Sequence, residues 1–111
     1  MRDLTVLEQI ILAAILNLED EAYSVTIRKK VGEIANKNIM FGTLYNVLDQ
    51  LLRKGYVAKA KGEPTPERRG RRKMYYRPTN KGKEALLNAL DLQKSLGQAC
   101  RTLLGVTENE R

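Results

Sequence analysis

Residues 70–85, Gly-Arg-Arg-Lys-Met-Tyr-Tyr-Arg-Pro-Thr-Asn-Lys-Gly-Lys-Glu-Ala, constrain the fold more than any other stretch of the chain. A basic loop containing glycine leads into a short aromatic segment, and that segment leads into a helix start. Upstream, Phe41 to Lys54 reads as an amphipathic helix with Leu44, Val47, Leu48, Leu51 and Leu52 on one stripe. Gly55 then ends it in the manner of a C′ residue. Tyr56–Lys61 and Lys73–Arg77 read as two strands joined by the loop Gly62–Arg72, with Pro64 and Pro66 confined to the loop.

The remaining segments read as helices. Leu7, Ile10, Ile11, Ala14, Ile15 and Leu18 recur at helical spacing, and Thr5-x-x-Glu8 forms a capping box at their start. The acidic run Glu19-Asp20-Glu21 opposes the dipole at the far end, so this helix stops by about Leu18. A second helix follows Tyr23 with Ser24 as the expected N-cap; Ile27, Val31, Ile34 and Ala35 face inward, and Arg28, Lys29 and Lys30 face outward. Asn36-Lys37-Asn38 is a turn. The last helix is expected to start from an Asn80 cap and to end near Gly105. Three helices, a basic hairpin and a long final helix give a mainly α fold with a small β-hairpin. Its order is that of a winged helix-turn-helix followed by a C-terminal helix. The expected division is 1–79 for the winged domain, 80–106 for the helix and 107–111 for a loose tail.

Charge narrows the partner. The chain of 111 residues has a net charge of +7, and residues 56–83 alone carry ten Lys and Arg against two Glu. An excess so local reads as a surface for an anion, nucleic acid before an acidic membrane. Arg68, Arg69, Arg71, Arg72 and Lys73 repel one another in the loop unless phosphates lie opposite, and the arginine fork suits phosphate. The plain alternative is a solvated basic loop. On the polar face of the Phe41 helix, Thr43, Asn46 and Gln50 have the size and donors to read base edges, and Tyr45 at the stripe's margin suits a phosphate. A polar face by itself is also simply what an amphipathic helix shows to water, and Asp49 counts against DNA.

The last helix points to a second copy of the chain. Ala85, Ala89, Leu92, Leu96, Ala99, Leu103 and Val106 alternate four and three apart, an a/d seam that wants a facing helix. Val6 and Ile10 are placed to cover part of a partner's seam. Histidine is absent, and the single Cys100 allows no internal disulfide and reads as a small apolar filler beside the seam. Neither a metal cluster nor an acid–base constellation can be assembled from these residues, so the sequence argues against an enzyme and against a cofactor. The longest apolar run, Ile10 to Leu16, falls far short of the ~20 residues of a membrane span, which suits a soluble cytoplasmic protein.

Four motifs in order resemble the PadR family of bacterial transcriptional regulators. They are Leu4-Thr5-Val6-Leu7-Glu8; Ala22-Tyr23; Phe41-Gly42-Thr43-Leu44-Tyr45-Asn46-Val47-Leu48-Asp49-Gln50-Leu51; and Gly70-Arg71-Arg72-Lys73-Met74-Tyr75-Tyr76-Arg77-Pro78-Thr79, followed by Gly82. The resemblance implies a homodimer joined through its C-terminal helix. It implies repression at a two-fold operator in double-stranded DNA, and in some members release by a small hydrophobic effector. The walls of such an effector site would be Leu7, Ile11, Leu92 and Leu96. Tryptophan is absent, so the indole sandwich of the drug-sensing members cannot form. Met40 stands where relatives place a capping Ser, which loosens the expected start of the recognition helix. The competing function is a winged-helix module that binds protein and not DNA.

Overall fold

A computed structural model describes residues 4–64 and 72–105. Three helices, α1 (Val6–Leu18), α2 (Ser24–Ala35) and α3 (Phe41–Arg53), precede an antiparallel hairpin of β1 (Val57–Pro64) and β2 (Arg72–Pro78), and α4 (Asn80–Cys100) follows. The mainly helical fold with one hairpin and a C-terminal helix is the one expected from the sequence.

α1 is the centre of the domain, packing against α2, α3, β2 and the start of α4. Its first turn is closed by the capping box: the Thr5 hydroxyl accepts from the Glu8 N–H at 3.1 Å, and the Glu8 carboxylate accepts from the Thr5 N–H at 2.8 Å. The deepest stripe is Glu8, Ile11, Leu12 and Ile15, all fully buried. The apolar reading thus missed Leu12 and set Leu7, Ile10 and Leu18 too deep; these three are half-buried at the core's edge. Between α1 and α2 lies a single turn of 3₁₀-helix, Glu19–Glu21. The Ala22 carbonyl after it accepts from the Tyr76 N–H at 2.8 Å, fixing the hairpin to the helical layer.

Two caps differ from expectation. α2 begins at Ser24, so Tyr23 is the N-cap, and the Thr26 hydroxyl accepts from the Tyr23 N–H at 3.0 Å. α4 is capped by Thr79, not Asn80; the Thr79 hydroxyl accepts from the Gly82 N–H at 3.0 Å and donates to the Gly55 carbonyl at 2.7 Å. This pins the start of α4 to the turn after α3. Gly55 there has φ +78°, a conformation that favours glycine. Gly82 is required by close packing, since a Cβ would run into the Tyr56 carbonyl. Ile34, expected inside, is 45% exposed.

In the hairpin Val57 pairs with Pro78, Lys59 with Tyr76 and Ala60 with Tyr75, and the register breaks between Lys61 and Pro64. The strands are longer than the sequence suggested. Of the adjacent tyrosines, Tyr76 is buried and Tyr75 half-buried, as alternation requires. α4 buries only Gly82 and Leu86, with Ala85 and Ala89 packed at the core's edge; from Leu90 onward it is almost wholly exposed. The regular helix ends at Cys100, short of the expected Gly105, and turns carry the chain on to residue 105. Val106 and the 107–111 tail lie outside the described residues. Among the described residues no helix is long and apolar enough to cross a membrane.

Candidate nucleic-acid interface

α3 is held rigidly and presents a polar face. Leu44, Val47, Leu48 and Leu51 are buried beneath it, while Gly42, Thr43, Tyr45, Asn46, Asp49, Gln50 and Arg53 are exposed. Met40 makes no side-chain cap, as its chemistry requires. The start of α3 is fixed by another route. Arg28 Nε on α2 donates to the Ile39 carbonyl at 2.5 Å, and the same guanidinium lies 4.7 Å above the Phe41 ring. Phe41 in turn stacks near Tyr45, with ring centres 6.4 Å apart. Arg28, expected to be a solvated outer cation, is thus the clamp of the helix-turn-helix corner.

The far end is bolted to α1. Lys54 Nζ lies 2.7 Å from Glu8 Oε2, and the Glu8 side chain is 1% exposed. Burial alone would raise the Glu8 carboxyl, but the Lys54 ammonium and the Thr5 N–H hold it below its ordinary value. The pair is charged and satisfied, so α3 cannot slide along α1 without stranding a buried carboxylate. The sequence contains a signal that Glu8 needs a cation, but not that Lys54 supplies it. Glu8 heads the i, i+3, i+4, i+7 stripe with Ile11, Leu12 and Ile15, and a carboxylate there demands a cation.

Asp49 is paired at 2.9 Å with Arg53 one turn later, so the carboxylate that spoke against DNA is partly offset within its own face. Beside α3, the root of the wing comes into reach. Tyr45, Lys73 and Met74 line a cleft of about 70 Å³ with Tyr23, Ser24 and Tyr76. Lys73 Nζ lies 4.3 Å above the Tyr23 ring, and Tyr23 meets Tyr75 edge-on at 5.6 Å. Burial, with Tyr45 and Asp49 nearby, pushes the Tyr76 hydroxyl above its ordinary value and keeps it neutral. Tyr45 from the helix and Lys73 from the wing therefore share one cleft. A larger hollow of about 180 Å³ lies elsewhere, between the sheet and the 3₁₀ turn, with the Glu19 and Asp20 carboxylates balanced by Lys59 and Arg77.

Arg72 begins β2, and Arg68, Arg69 and Arg71 lie outside the described residues. Of the residues expected at a subunit seam, Leu92 and Leu96 are each 55% exposed, and Ala99 and Leu103 are also exposed. Leu103 stands beyond the regular helix. Ala85 and Ala89 already pack against the chain's own core, where they join Leu86, a core residue the heptad reading passed over. Val6 is exposed, and Ile10 half-buried. The expected effector walls differ in exposure within the single chain. Ile11 is sealed in the core and Leu7 is half-buried there, whereas Leu92 and Leu96 stand out on α4. Cys100 is exposed, so it is no filler within the chain.

Comparison with known proteins gives a consistent answer. The model of the PadR-like family of transcriptional regulators matches residues 11–88. A PadR-like transcription factor from Bacteroides fragilis is 30% identical, with TM-score 0.71 over 87% of this chain and 88% of the other. RosR from H. salinarum is 31% identical, with TM-score 0.64 over 85% of this chain and 77% of its own. A PadR family transcription regulator from Clostridium difficile is 25% identical, with TM-score 0.71 over 87% and 97%. Among curated proteins, none matches the sequence.

Proposed function

This chain belongs to the PadR-like family of transcriptional regulators, and from that premise we propose that it is a homodimeric repressor acting at a two-fold DNA operator. One observation carries the reading. α3 is fixed at both ends, by Arg28 and by the Glu8–Lys54 pair, and its outer face carries Thr43, Asn46 and Gln50. Such a helix is rigid enough to hold donors and acceptors in register with base edges. Tyr45 and Lys73 share the adjoining cleft and take phosphate, together with Arg68, Arg69, Arg71 and Arg72 of the wing.

The exposed leucines of α4 supply the second half of the reading. Leu92 and Leu96 pack against the partner's helix, and Ala99 and Leu103 extend that contact. Pairing two copies sets the α3 helices about one DNA turn apart, ~34–36 Å. Residues 1–79 then act as the DNA-reading unit, and residues 80–106, with α4 as their helix, as the coupling segment. A protein-binding winged module is less well supported, because the outer face of α3 is polar. Selection of duplexes from a random-sequence library, followed by titration of the enriched duplex against salt, tests the proposal. Enrichment of a two-fold sequence whose affinity falls steeply with salt is the expected outcome. A library with no enrichment would overturn it.

A further inference from the structure

Gly42 is a glycine for which the fold has no use. It stands in the first turn of α3 and is not among the residues with positive φ. A Cβ placed on it would meet nothing within 4 Å. Gly55 and Gly82 differ, one needing its positive φ and the other its bare surface against Tyr56. Within a helix glycine is a poorer choice than alanine, because it has the most backbone freedom to lose. α3 therefore carries an unfavourable residue that no contact within the chain explains.

Its position supplies a reason. Gly42, Asn46, Asp49 and Arg53 stand at i, i+4, i+7 and i+11, down the middle of the exposed face. A side chain at Gly42 would project straight into whatever this face meets. We propose that Gly42 is the point of closest approach between α3 and DNA, a bare stretch of backbone that lets the first turn lie flush in the major groove. The proposal rests on the DNA-binding reading above. An α-helix with its side chains is about 10–12 Å across and the groove about 12 Å wide, so there is little slack. A single added carbon extends about 1.5 Å from the backbone. Displacing the helix by even part of that takes hydrogen bonds from Thr43 and Asn46 beyond their ~2.7–3.2 Å range.

The inference yields opposite signs for stability and binding. Gly42→Ala should keep the melting temperature or raise it by roughly 2–4 °C and leave sedimentation unchanged. The same variant should bind at least about tenfold more weakly to the duplex that the wild type enriches from a random library. Three outcomes for a wild type that does enrich a duplex would overturn the inference alone: affinity of Gly42→Ala within about twofold of wild type, a lowered melting temperature, or a changed oligomeric state. The second would mean that the fold needs the glycine, and the third that it serves a subunit contact. A wild type that enriches no duplex overturns the DNA reading and this inference with it.

Discussion

α3 and α4 are both amphipathic helices, and they use their apolar stripes in opposite ways. α3 buries Leu44, Val47, Leu48 and Leu51 within its own chain and shows Thr43, Asn46 and Gln50 to the outside. α4 buries only Gly82 and Leu86 and leaves Leu90, Leu92 and Leu96 at least half exposed. The cause is what each helix lies against: α1, α2 and β1 cover α3, whereas α4 meets β2 and α1, reaching Gln9 of α1 through Gln93, and then runs on, giving a molecule 56 Å long and 29 Å wide. A helix satisfied within its own chain is free to offer polar groups to a polar partner. A helix left unsatisfied offers apolar surface, and a second copy of the same stripe is its simplest complement.

The comparison can be broken most forcefully at the anchor of α3. Lys54→Met leaves the Glu8 carboxylate buried and unpaired, and should cost about 3–5 kcal/mol in urea unfolding. The acid dependence follows from the sign of the Glu8 shift. Its folded value lies below the ordinary 4.5, so its contribution is complete above that pH and is lost as pH falls through the lower folded value. Lys54→Met should remove this acid-side loss, and a variant with wild-type stability and acid dependence would show that the pair anchors nothing.

α4 should respond in a different currency. Leu92→Glu with Leu96→Glu puts two charges on the exposed seam and should yield monomers by sedimentation, with the winged domain still folded by circular dichroism. A double variant that stays dimeric would place the interface elsewhere. On the polar helix, Asn46→Ala should cost ~1–3 kcal/mol on the enriched duplex and little on random DNA, the mark of a bidentate base contact. Equal losses on both would move Asn46 to the phosphate class. The smallest effect belongs to the wing root. Lys73→Gln should weaken all sequences alike and flatten the salt slope by about one unit.

The parts of this design that were legible in the sequence are those written in short-range pattern. The capping box of Thr5 and Glu8, the stripe of α3 and its start at Phe41, and the turn at Asn36 each lie within a few residues. The parts that were not legible join distant segments. Lys54 finds Glu8 across 46 residues, and Arg28 reaches Ile39 across 11. The heptad on α4 is visible as a pattern, but the pattern does not show that Ala85 and Ala89 also pack at the edge of the chain's own core, beside Leu86. The cap of α4 failed for a related reason. Asn80 and Thr79 are both good capping residues, and the choice was made by Gly55, whose carbonyl accepts from the Thr79 hydroxyl.

The claim that joins the two helices is that one chain pairs through α4 so that two copies of α3 can read one duplex. Sedimentation of the wild type with its enriched duplex, set beside the Leu92→Glu, Leu96→Glu variant, tests it most directly. The account predicts two chains per duplex for the wild type and a large loss of affinity in the monomeric variant. A wild type that binds as one chain per duplex, with the double variant binding equally well, would contradict it.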